Sequence, residues 1–196
     1  MSTQTVTQAS SRASTGWLKT YYFIRFAFGA GWVALAFTVA KNIPLLASVM
    51  LVAYPAWDAL ANYVDAAKSG GLRNNKAQAF NLIFSALTAI AVGIALGNGV
   101  FAVLVVFAVW ATLTGLFQLF AGISRWKSES GQWPMVLSGV QSAIVGFLFV
   151  KMASAPHPVA VTSIAGYASL GAFYFLLSAI WLTVKDARRS AKPASA

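Results

Sequence analysis

The sequence predicts an all-α integral membrane protein with six transmembrane helices, arranged as three parallel-repeated helical hairpins. Hydrophobic residues make up 59% of the 196 residues and charged residues only 9%. A water-soluble domain of this size could not cover such a composition with polar surface. In addition, six long apolar stretches fall into three pairs that resemble one another at a spacing of 56 to 57 residues.

Each apolar stretch has the length of a membrane-spanning helix, which needs about 20 apolar residues. Helices are favoured over barrel strands because the stretches are too long and too uniformly apolar for strands. Residues 1–17 are polar and lack a signal-peptide pattern, so they predict a disordered tail before an uncleaved first span. Residues 18–185 form the transmembrane domain and residues 186–196 a basic cytoplasmic tail. The predicted spans lie near residues 21–40, 43–64, 78–97, 100–123, 133–152 and 159–184.

The repeat is clearest in the second helix of each pair, where Tyr54, Trp110 and Tyr167 occupy equivalent positions. Because the repeated unit is a hairpin of two spans, successive units enter the membrane in the same direction and are parallel repeats. Other equivalent sets follow at the same offsets: Asp58, Thr114 and Gly171; Asn62, Gln118 and Phe175; and Arg25 with Asn81.

Small residues four positions apart predict where helices approach closely, because apolar burial alone does not favour protein over lipid tails. These patterns indicate packing within the bundle, with a dimer interface as the alternative. The pairs are Ala111 with Gly115, Gly139 with Ala143, Ser142 with Gly146, and Ala168 with Ala172. In span one, Gly29 and Gly31 are the small residues expected to allow close approach.

Basic residues concentrate on one side of the predicted membrane, which by the positive-inside rule places both termini in the cytoplasm. The net charge of +10 then reflects topology and attraction to anionic lipid headgroups on the cytoplasmic face. The short loops offer no folded basic surface for nucleic acid. The inner-side residues include Arg12, Lys19, Lys68, Arg73, Lys76, Arg125, Lys127, Lys185, Arg188, Arg189 and Lys192, against Lys41, Lys151 and His157 outside.

Three segments resemble the HdeD-like family of bacterial membrane proteins: residues 54–60, residues 110–126 with their glycines, and residues 133–146. The resemblance runs from about Tyr21 to Lys185. It implies an inner-membrane protein built of short two-helix repeats, of unknown molecular function, with a best-known member linked to survival of acid stress. It supplies no catalytic or binding residues that could be carried over to this chain.

Two charges fall within the predicted spans at similar depth on neighbouring helices. Arg25 lies about 6 Å into span one and Asp58 about 9 Å from the inner end of span two. Because an isolated charge in a membrane is costly, we expect an intramembrane ion pair. In the alternative, Arg25 extends to the headgroups while Asp58 meets water or is protonated.

Four amide residues, Asn62, Asn81, Gln118 and Gln141, fall in the cytoplasmic half of their spans. With the two charges they predict a polar layer contributed by five helices. Hydrogen bonds between helices would make this layer structural. Alternatively, it is a water-accessible vestibule in which Asp58 binds a cation or exchanges a proton.

The sequence offers little for catalysis or metal chemistry. One histidine, His157, and no cysteine cannot form an ordinary metal site, so no metal or cofactor is expected. His157 lies between prolines in an outer loop and could charge on mild acidification, but a single loop histidine is usually only solvated. Without a nucleophile and base pair, an enzyme is not expected.

Two classes of function remain. The first is a non-enzymatic inner-membrane protein that supports acid or envelope stress tolerance through structure, partner contact or homo-oligomer formation. The second is a small transporter or channel that uses Asp58 and the polar layer.

Overall fold

The structure, a computed structural model, describes residues 3–124, 133–154 and 160–190. All regular structure in these ranges is helical. A single 3-10 turn, Ala40–Asn42, joins the first two helices. The helices are α1 (Thr3–Thr38), α2 (Pro44–Lys68), α3 (Lys76–Leu96), α4 (Val100–Ser124), α5 (Trp133–Ala153) and α6 (Ala160–Ser190).

Five of these helices, α2 to α6, are long and apolar enough to cross a membrane. The chain therefore has the pattern of a multi-pass membrane protein. Helix α1 is not among the five, although its last eighteen residues are largely apolar. That stretch contains Arg25, a tyrosine pair at its start and two glycines, which lower its hydropathy, so a sixth span remains a prediction.

Helix α1 begins at Thr3, inside the segment predicted to be a disordered tail. Residues 3–15 contain no proline or glycine to interrupt a helix, so the helix runs on without a break. At the other end, α6 continues to Ser190 and includes the first part of the predicted basic tail. The two helices meet close to these extensions, where Lys19 of α1 lies 3.5 Å from Asp186 of α6.

The most extensive helix contacts join successive repeat units: α2 with α3, α4 with α5, and α6 with α1. The two helices within one predicted hairpin, by contrast, share fewer contacts. An arrangement of three separately packed hairpins is therefore not confirmed. Each unit instead places its second helix against the first helix of the next unit, and α6 closes the ring on α1.

Small residues determine which helices approach most closely. A Cβ atom added to Gly115 would lie 2.7 Å from the carbonyl oxygen of Gly139 and 2.8 Å from the Ser142 Cβ. Gly146 likewise faces the α4 backbone, at Ala108. These glycines therefore allow the α4 and α5 backbones to touch, as predicted for packing residues.

The α6–α1 interface uses the same repeat positions as the α4–α5 interface. Gly115 and Ala172 are equivalent in the repeat at an offset of 57. When the first helix of the third unit is aligned at the same offset from the second unit, Ser142 corresponds to Gly29 and Ser138 to Arg25. A Cβ atom on Gly29 would lie 3.1 Å from the Ala172 Cβ, which matches the Gly115–Ser142 contact. Gly31, also predicted to pack, has no neighbour within 4 Å of such an atom.

Candidate functional site

Arg25 on α1 and Asp58 on α2 lie in direct contact, with the guanidinium Nη2 donating to the carboxylate Oδ1. Their side chains are only 11% and 17% exposed. The Arg25 guanidinium also lies 4.4 Å from the centre of the Phe175 ring on α6, a cation–π contact. The Arg25 guanidinium therefore contacts both α2 and α6 from α1.

The Asp58 carboxylate accepts two further hydrogen bonds through Oδ2. Ser85 Oγ on α3 donates at 2.7 Å and Asn62 Nδ2, one turn along α2, donates at 3.1 Å. Ser85 Oγ in turn accepts from the Trp110 indole Nε1 on α4 at 3.2 Å. A continuous hydrogen-bonded network thus links α1, α2, α3 and α4 through Asp58.

The other members of the predicted polar layer lie apart from this network. Ser138 Oγ on α5 donates to Gln118 Oε1 on α4 at 3.2 Å. The Tyr174 hydroxyl on α6 donates to Gln141 Oε1 on α5. Asn81 makes no side-chain hydrogen bond to the described residues. These side chains are therefore engaged in separate helix pairs, and a polar layer shared by five helices stays a prediction.

Repeat equivalence explains two of these contacts. Gln118 and Phe175 are equivalent positions, and Ser138 stands at the position of Arg25. The Gln118–Ser138 hydrogen bond and the Phe175–Arg25 cation–π contact are therefore the same contact at successive interfaces, made with different chemistry.

The three repeat aromatics meet at the centre of the bundle. The Trp110 ring lies edge-on to both Tyr54 and Tyr167, with centroids 6.0 and 6.5 Å apart. The Tyr167 hydroxyl is 3.3 Å from Ser142 Oγ on α5. The equivalent residues of the three units thus form one aromatic cluster between α2, α4 and α6.

Sequence reasoning missed Asp65, which is 7% exposed. Its carboxylate accepts from the Trp17 indole on α1 at 3.2 Å and from Gln78 Nε2 on α3 at 3.2 Å. The signal was present, because Asp58, Asn62 and Asp65 have the spacing of one helix face. The predicted second span ended at residue 64, however, and α2 continues to Lys68.

Some predicted residues lie outside the described part of the chain. These include His157, the loop with Arg125 and Lys127, and Lys192.

Comparison with known proteins gives one match. Residues 83–151 match the model of a family described as a short repeat of unknown function (DUF308). The match covers about a third of the chain and runs from α3 through α4 to the end of α5. No curated protein and no solved structure matches the chain.

Proposed function

We propose that the chain is a non-enzymatic inner-membrane protein of the HdeD-like type. In this proposal it supports acid or envelope stress tolerance through its structure, through partner contact or by forming homo-oligomers. The match of residues 83–151 to a short repeat family and the apolar helices support a membrane protein of this kind. The protein would then act through the assembled helix bundle and would not catalyse a reaction.

One observation carries this proposal, namely the way Asp58 is bound. Donors from α1, α2 and α3 engage both oxygens of its carboxylate. A carboxylate that moved a cation would need free oxygens and a water-filled approach. Because both oxygens of the Asp58 carboxylate already accept hydrogen bonds, the geometry favours a structural role in which Asp58 connects neighbouring helices.

The topology we propose has three two-helix units in a bacterial inner membrane with both termini in the cytoplasm. The distribution of basic residues supports this orientation. The pairing of Lys19 with Asp186 supports it as well, because it places the two ends of the chain on the same side. Anionic lipids would contact the basic residues on that side.

The test is survival of a deletion strain after acid shock. The strain is complemented with wild-type protein or with Asp58→Asn at matched membrane abundance. Equal rescue by both proteins is the expected result, because abundance is matched and the proposed role does not need an ionised carboxylate at position 58. A strain that survives acid shock without the protein would contradict the stress role.

A small transporter or channel is the second candidate, and one feature favours it. A small cavity borders the Arg25–Asp58 pair. Rescue by wild type but failure of Asp58→Asn would favour this candidate and call for flux measurements in liposomes. The buried aromatic and aliphatic residues of the other half of the bundle, among them Leu104, Phe107 and Phe149, argue against a continuous polar pore.

A further inference from the structure

A cavity of about 20 Å³ lies where α1, α2 and α6 meet. A cavity needs about 10–15 Å³ to hold one water-sized particle, so this one accommodates a single small ligand. Its wall combines the Arg25–Asp58 pair with the aromatic rings of Phe28, Tyr54, Trp57 and Phe175.

Two hydrogen-bond donors in this wall have no acceptor among the described residues. They are Nη1 of Arg25 and the indole Nε1 of Trp57, and both atoms are buried. Native proteins rarely leave buried donors unsatisfied, because each such group loses its hydration without compensation. Both residues line the same cavity, which makes a single bound acceptor the simplest partner for the two donors.

The repeat explains why the space exists at this interface. Between α2 and α3, the side chains of Asp58 and Ser85 meet in a hydrogen bond. The equivalent positions between α6 and α1 are Gly171 and Gly29, which have no side chains to fill the gap. A Cβ atom at Gly171 would meet only the Tyr54 hydroxyl, at 3.8 Å.

We propose that this cavity binds one small monovalent anion of halide size, held by Arg25 Nη1 and Trp57 Nε1. Both free groups are donors, and one belongs to a cation. Aromatic rings present positive edges to an anion. The volume excludes larger anions such as sulfate and phosphate. The anion and the Asp58 carboxylate share one guanidinium, so they compete for its charge.

The test uses the purified full-length protein in detergent. Its thermal unfolding is followed in chloride, bromide or isethionate at equal ionic strength, where isethionate is too large for the cavity. Binding to the folded state raises the unfolding temperature with ligand concentration. We expect chloride and bromide to raise it and isethionate to have no such effect.

Trp57→Phe is the decisive variant, because the Trp57 Nε1 has no partner in the described chain and its loss breaks no hydrogen bond there. We expect its halide dissociation constant to rise about tenfold, as for loss of a hydrogen bond to a charged group. Trp17→Phe is the matched control, since that indole binds Asp65 instead. Its halide response should equal that of the wild type.

Asp58→Asn tests the competition for Arg25. With an amide in place of the carboxylate, the guanidinium charge is free for the anion, and halide should stabilise this variant more than the wild type. Equal unfolding temperatures in halide and isethionate would overturn the proposal and leave only a water molecule in the cavity. An unchanged halide response in Trp57→Phe, or a weaker one in Asp58→Asn, would also overturn it.

Discussion

At the scale of single residues, the bundle shows how a charge is accommodated within apolar helices. Arg25 and Asp58 neutralise each other, and the remaining carboxylate oxygen is engaged by Asn62 and Ser85. Removing one member of such a pair leaves an uncompensated charge with few polar neighbours. Breaking the pair therefore costs more free energy, because it leaves a buried unpaired charge, than the intact pair contributes to stability.

We expect Arg25→Leu to destabilise the protein by about 3 kcal/mol, because the Asp58 carboxylate would lose its only cationic partner among the described residues. Thermal unfolding of the detergent-solubilised protein measures this loss. Arg73→Leu is the control, since Arg73 is exposed in the connection between α2 and α3. An unchanged unfolding temperature for Arg25→Leu would contradict a structural role for the pair.

Ser85 connects the ion pair to the central aromatic cluster and is fully buried. Ser85→Ala removes the donor to Asp58 and the acceptor for the Trp110 indole, so we expect a loss of about 1–2 kcal/mol. Ser48→Ala is the control, because that hydroxyl bonds only to a carbonyl of its own helix. If both variants unfold at the same temperature, the network contributes nothing measurable.

At the scale of helices, close backbone approach distinguishes the α4–α5 pair. Lipid tails are as apolar as leucine, so helices in a membrane associate through packing and hydrogen bonds. Gly115 and Gly139 allow such packing because neither has a side chain to separate the backbones. This pair is accordingly the element most sensitive to added volume.

Gly115→Ala should destabilise the protein by roughly 1–3 kcal/mol, because its Cβ would lie 2.7 Å from a carbonyl oxygen on α5 and the helices must separate. Gly93→Ala provides the comparison, since an added Cβ at Gly93 has no neighbour within 4 Å. That substitution should be neutral or slightly stabilising, because alanine is the better helix former. Thermal unfolding of both proteins in the same detergent decides the matter, and equal losses would contradict the packing argument.

The sequence predicted the helices and several contacts, but not which helices pair. Arg25 and Asp58 could be placed together because depth in a membrane follows from residue number along a helix. Neighbour choice is different, since nearly every face of these helices is apolar and hydrophobic periodicity cannot separate core from lipid. Asp65 was missed because the end of a span is less certain than its centre, and Ser85 because a lone serine in a helix carries no signal.

At the scale of the whole molecule, the contacts close into a ring. Each second helix packs on the first helix of the following unit, and α6 returns to α1. Every unit therefore packs against a neighbouring unit through both of its helices. This closure explains why equivalent positions recur at successive interfaces, as Gly115 with Ser142 and Ala172 with Gly29.

Ring closure can be tested directly because the native sequence contains no cysteine. The pair Gly29→Cys and Ala172→Cys should form a disulfide within one chain, since the two Cβ atoms would lie 3.1 Å apart and a small separation of the helices brings them into the range of about 3.5–4.5 Å that a disulfide uses. Mild oxidation followed by proteolysis between the helices reports the link as fragments that separate only after reduction. The control pair is Gly31→Cys with Ala172→Cys, because a Cβ at Gly31 has no neighbour within 4 Å. Equal cross-linking of both pairs would show that α6 does not hold a fixed position on α1, and cross-linking between chains would place this interface between protomers.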